Sequence, residues 1–139
     1  MKESTVEAST RKFLSIEGWQ FSNFPKFVGE GGCDIVAWHP KRRKIFYIEA
    51  KGECSDVHQE RHNGFPKLLG QIISRMDIEG NNLKKARYYG IAVPKTWEEF
   101  MKRKIAKMPY GWTLLKLKVF LVDGDKVEFK NYKYFLKSK

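Results

Sequence analysis

Apolar residues recur along the chain with two periods, about 3.6 and 2, and the alternation between them divides it into helices and strands. Val6, Phe13 and Leu14 stand at helical spacing behind Ser4-Thr5-Val6-Glu7, a capping-box pattern with Ser4 as N-cap. They predict a first helix over Thr5–Glu17, with Gly18 as its stop. Trp19–Phe27 alternates loosely and predicts a strand interrupted or ended at Pro25, before a loop of Gly29, Gly31 and Gly32. Asp34–Trp38 and Ile45–Ala50 are strand-like runs joined by a polar turn, Pro40–Lys44, and predict an antiparallel hairpin. Phe65, Leu68, Leu69, Ile72, Ile73 and Met76 form an amphipathic stripe, the most complete helix signal in the chain. Gly80 and the Asn81-Asn82 pair end it. Arg87–Val93 reads as a strand stopped by Pro94, and Thr96–Met108 as one helix. Leu117–Val122 and Val127–Phe129 make a last hairpin through Asp123-Gly124-Asp125, and the tail from Tyr132 is basic and aromatic.

Length and charge change this picture in one direction. With 139 residues the chain is expected to be a single domain, residues 1–139, with a core of its own. Its formal net charge of +11 favours a phosphate polyanion as partner, DNA first and RNA second, although a basic composition also serves plain solubility. No apolar run reaches the length of a membrane span and the first residues carry no apolar secretion segment, so no membrane partner and a cytoplasmic location are expected. Cys33 and Cys54 are too few for a disulfide framework and should be reduced. The length leaves no room for a separate target-recognition domain, so selectivity is expected from a homodimer, a larger complex or another partner.

Candidate chemistry collects in IFYIEAKGE, residues 45–53. Strand side chains alternate, so Glu49 and Lys51 should face the same side. A hairpin turning near Lys41 or Arg42 pairs Asp34 with Glu49 or Ala50, which brings Asp34, Glu49 and Lys51 to one end. Oxygen ligands from Asp34, Glu49 and the carbonyl of Ala50 would suit Mg²⁺ or Mn²⁺, and Lys51 could orient an attacking water or offset charge on a phosphodiester. In a lysine-rich chain such a trio is also easily met by chance.

GGCDIVAW, IFYIEAKGE and the helix containing GQIISRM together resemble the PD-(D/E)XK nuclease superfamily, which includes archaeal Holliday-junction resolvases and Mrr-type endonucleases. The resemblance spans about the first ninety residues. It implies an α/β, restriction-endonuclease-like core, a central mixed β-sheet flanked by helices (αβββαβ), with an added C-terminal helix and β-hairpin. It also implies a Mg²⁺-dependent deoxyribonuclease, endonuclease or exonuclease, with Asp34, Glu49, Lys51 and Gln71 catalytic and Glu7 assisting the metal. One departure is Cys33 where the family places proline. The alternative is a catalytically inactive nucleic-acid-binding or assembly module of the same fold.

Several residues keep two readings. Glu7 is equally well a capping residue, and Gln71 a solvated helix position. Arg75 by default is a solvated surface residue but is a candidate for DNA contact. Lys41, Arg42 and Arg43 could grip phosphates, though a soluble turn tip is the simpler reading; Lys102 and Arg103 could extend the footprint. Cys54, His58 and His62 repeat every four residues, an incomplete zinc pattern more readily read as polar residues near DNA.

Overall fold

The computed structural model describes residues 1–21, 34–53, 58–79 and 86–136. Outside them lie the expected glycine loop, Pro25, Cys33, Cys54, Gly80 and the Asn81-Asn82 pair. The first helix, α1 (Glu3–Ile16), begins earlier than its capping box predicts, with Lys2 at the N-cap and no side-chain cap. The reason lies across the molecule. The Met1 ammonium donates to the Glu53 carbonyl at 3.1 Å, and the Glu53 N–H donates to the Met1 carbonyl at 2.8 Å. With its first residues already held, the chain lets Thr5 and Val6 donate to the Lys2 carbonyl, and Ser4 is not needed as a cap. Gly52 makes the approach possible, since a Cβ there would stand 2.3 Å from the Glu3 nitrogen.

Six strands follow one another across a single mixed sheet: β1 (Gln20–Phe21), β2 (Ile35–His39), β3 (Lys44–Ala50), β4 (Ala86–Pro94), β5 (Lys118–Asp123) and β6 (Lys126–Lys130). The pairs β1–β2, β2–β3 and β5–β6 are antiparallel, whereas β3–β4 and β4–β5 are parallel. The parallel step from β3 to β4 is spanned by α2 (His58–Glu79). The next step uses a 3₁₀ turn (Lys95–Trp97), α3 (Glu98–Ala106) and α4 (Pro109–Leu115). The helix expected over Thr96–Met108 is the 3₁₀ turn followed by α3, and α4 is a further helix beyond that range, opened by Pro109 where its missing N–H costs nothing.

Alternation distributes the apolar side chains to two cores. On one face, Val6 and Leu14 of α1 cover Ile35, Ala37, Phe46, Ile48, Ala92, Phe120 and Val122. On the other, Phe65, Leu68 and Ile72 of α2 pack with Trp97, Phe100, Met101 and Trp112 against Tyr47, Ile91, Val93, Val119 and Leu121. Burial on both faces explains why β5 reads as a nearly continuous apolar run.

The sheet curls into a half-barrel, which corrects the expected restriction-endonuclease-like core carrying an added hairpin. The physical reason is in the pairing. β5 hydrogen-bonds β4 from Gly90↔Lys118 to Pro94↔Val122, so the last hairpin is part of the one sheet and of both cores rather than an appendage.

Candidate functional site

The expected trio meets at the end of the sheet where β3 finishes. Ile35 pairs with Ile48, which sets Asp34 opposite Glu49, and the Ala50 N–H donates to Asp34 Oδ2 at 2.8 Å. Arg11 of α1 donates to the Asp34 carbonyl at 2.7 Å and lies 3.4 Å from Glu7 Oε1, so Glu7 reaches this end through Arg11. Glu49 is buried at 6% exposure. The aliphatic stem of Lys51 passes over Gly64 of α2, where a Cβ would stand 3.4 Å from Lys51 Cε and 3.2 Å from the Trp97 ring. Gln71 is exposed on α2, whereas Arg75 is buried at 9% exposure.

The residue at the centre of this end is one that pattern reading passed over. Glu53, also buried, accepts from Arg61 Nε at 3.1 Å and Nη2 at 3.0 Å, from Thr96 Oγ1 at 3.2 Å and from Trp97 Nε1 at 2.9 Å. It ties the exit of β3 to α2 and to the turn after β4. Burial raises its carboxyl, but Arg61, Trp97 and Thr96 together outweigh that and hold it below the usual carboxylate range. No local signal marks it, because its partners arrive from two other elements, α2 and the turn after β4. Close by, Glu98 accepts from Lys95 at 2.7 Å and from the Tyr134 hydroxyl, and Lys95 also reaches Glu128 at 2.8 Å. Burial opposes ionisation of Glu98, yet Lys95, Tyr134 and Lys102 bring it down to about 2.

This geometry corrects the expected Mg²⁺ or Mn²⁺ site. Among the described residues no group of three His, Cys, Asp or Glu side chains is placed to hold a metal ion. Three of the acids meet protein donors, Asp34 at Ala50, Glu7 at Arg11 and Glu53 at Arg61, while the Oε2 atom of Glu49 is buried without a hydrogen bond among the described residues. Ala50, expected to offer its carbonyl, gives its N–H to Asp34. For the zinc pattern, Cys54 lies outside the described residues, and His62 is exposed with its ring edge-on to Phe100.

The opposite end of β3 is basic. Lys41, Arg42 and Arg43 are exposed in the turn, with Arg43 in the left-handed region at φ 56°. His39 braces the turn: its Nδ1 accepts the Arg42 N–H at 3.2 Å, which leaves Nε2–H to donate to the Glu17 carbonyl, also at 3.2 Å. Lys44 donates to the Tyr88 hydroxyl. Its Nζ also lies 4.5 Å from the centre of the Tyr88 ring, and Lys118 Nζ 5.1 Å, so one phenol lies against both lysines. On the far face, Lys102 is drawn to Glu98 at 3.5 Å and to the Tyr134 ring, while Arg103 is exposed. Arg103, Lys104, Lys107 and His62 line a groove of about 360 Å³ beside Phe100.

No family model matches the chain, and no curated protein matches it. A solved structure of an XisH family protein from Nostoc punctiforme is similar, with a TM-score of 0.62 and 22% sequence identity over 91% of this chain and 98% of that one. The likeness is one of fold. It corrects the motif resemblance, since the matching fold is that of an XisH family protein rather than a PD-(D/E)XK resolvase or Mrr-type endonuclease. Combined with carboxylates that do not gather as metal ligands among the described residues, it overturns the expected Mg²⁺-dependent deoxyribonuclease, whether endonuclease or exonuclease.

Proposed function

We propose that this protein binds nucleic acid, DNA first, through the basic end of its sheet. The observation that carries the reading is the partnering of the cations there. Among the described residues, Lys41, Arg42 and Arg43 are exposed and form no ion pair, Arg42 sharing a cavity with one carboxylate, Glu17, and Lys44 and Lys118 rest on an aromatic ring. Cations left without carboxylate partners keep their field for an outside polyanion, and aromatic rings add a surface for bases. The groove at Arg103, Lys104 and Lys107 supports the same reading as a second phosphate contact.

The test is fluorescence anisotropy with labelled duplex and single-stranded DNA over a range of salt. Binding should weaken linearly in log–log form, with a slope of about −0.9 per phosphate contacted on duplex. The combined variant Lys41→Glu, Arg42→Glu, Arg43→Glu should weaken binding by at least about tenfold and flatten the slope. Arg103→Glu with Lys107→Glu should have a smaller effect. Absence of salt-dependent binding, or binding indifferent to the turn variant, rejects the reading.

A further inference from the structure

α1 covers only part of its face of the sheet. It ends at Ile16, and the chain then turns at Gly18, whose φ of 95° a side chain would oppose. At the last turns of α1, Phe13 meets Phe120 edge-on and, with Leu14, borders a row of rings on this face, Phe46 and Tyr88 paired across β3 and β4 and Phe120 and Phe129 paired across β5 and β6. These rings lie edge to face or tilted against one another, with centres 5.1–5.6 Å apart between Phe46, Tyr88, Phe120 and Phe129. They line a cavity of about 250 Å³ whose charged lining is Arg42, Lys118 and one carboxylate, Glu17, with Lys44 beside it on the Tyr88 ring. Phe129 is 44% exposed, an unusual position for a phenylalanine next to a cavity already rich in rings.

We infer that this cavity receives a single unstacked base of single-stranded DNA, with the flanking phosphates held by Arg42, Lys44 and Lys118. The inference rests on the nucleic-acid reading above and adds the form of the ligand. Size and charge both select this occupant. The volume falls just below the roughly 300–1,000 Å³ of sites that enclose a drug-sized molecule, so one base enters while sugar and phosphate stay at the rim. Three cations against one carboxylate favour an anion at that rim, whereas an apolar peptide side chain would gain nothing from them. Phe46 and Phe120 are buried, so the base stacks on the exposed Phe129, and because stacking takes any base the site should prefer an open strand to a duplex without reading sequence.

The experiment uses the full chain and a short thymidine oligonucleotide carrying one 5-iododeoxyuridine. Irradiation of the complex should place the crosslink on peptides containing Tyr88 or Phe129, by mass spectrometry. Phe129→Ala should weaken single-strand binding about tenfold and leave duplex binding within about twofold. Lys118→Gln, which keeps all the rings, should weaken single-strand binding less, and thermal melts confirm that both variants fold. Equal affinity for single and double strands in the parent, no response to Phe129→Ala, or crosslinks confined to the α3 groove each overturn the base pocket while leaving the binding reading in place. Failure to bind either form overturns both.

Discussion

The two ends of β3 carry similar numbers of charged side chains and use them in opposite ways. Where the strand finishes, Asp34 and Glu53 are buried or half-buried and their carboxylates are answered by donors from β3 itself, α2 and the turn after β4. Where it begins, Lys41, Arg42 and Arg43 stand in water, and Lys44 and Lys118 lean on Tyr88. A buried carboxylate must be satisfied or it destabilises the fold, so the first end is architecture. An exposed cation costs the fold almost nothing, so the second end is available for a partner. The presence of titratable residues therefore says less about function than whether their valences are already met.

The widest separation between the ends should appear in stability. Glu53→Ala removes the shared acceptor of Arg61, Thr96 and Trp97 and should cost about 3–5 kcal/mol in denaturant unfolding. Single alanine substitutions at Lys41 or Arg42 should stay within about 0.5 kcal/mol. An equal cost at both ends would erase the distinction.

Acid provides the next largest effect. Glu98 has its carboxyl lowered in the folded state from 4.5 to about 2, so its contribution is complete above pH 4.5 and disappears as pH falls toward 2. At about 1.4 kcal/mol per unit this amounts to roughly 3 kcal/mol, and Glu53 adds a loss of the same sign. Unfolding free energies measured from pH 5 to pH 2 should fall accordingly, and Glu98→Gln should remove the Glu98 share of that slope. A parent whose stability is flat over this window would show that the carboxylates are not held as described.

The smallest effect sharpens the comparison most. Arg43 occupies left-handed backbone, so Arg43→Gly should relieve strain and raise stability by up to about 1 kcal/mol while lowering DNA affinity. Stability and binding moving in opposite directions at one residue is the signature of a surface kept for a partner. If both fall, the side chain is packing rather than reaching outward.

Much of the architecture was legible because period-two and period-3.6 patterns depend only on local geometry. The stripe from Phe65 to Met76 lies within α2, and the hairpin register that sets Asp34 opposite Glu49 follows from the turn at Lys41 and Arg42. Three features were not legible. The helix start at Glu3 depends on Met1 meeting Glu53, Pro109 opens a separate helix beyond the expected one, and the C-terminal hairpin joins the sheet through β4. The first and the third are decided by contacts between segments far apart in the chain, the second by Pro109 itself.

The candidate site shows the same division more sharply. Glu49 and Lys51 drew notice because they are close in sequence, whereas Glu53 and its donors Arg61, Thr96 and Trp97 are not. Tyr88 became a seat for two lysines only when β4 was placed between β3 and β5. The sequence by itself determined the basic charge, the order of elements along the chain and the presence of acids and a lysine at the finish of β3. The tertiary structure alone decided which of those charges are satisfied, because satisfaction is a matter of distance and burial. It is that decision which moves attention from the acidic end of β3 to the basic one.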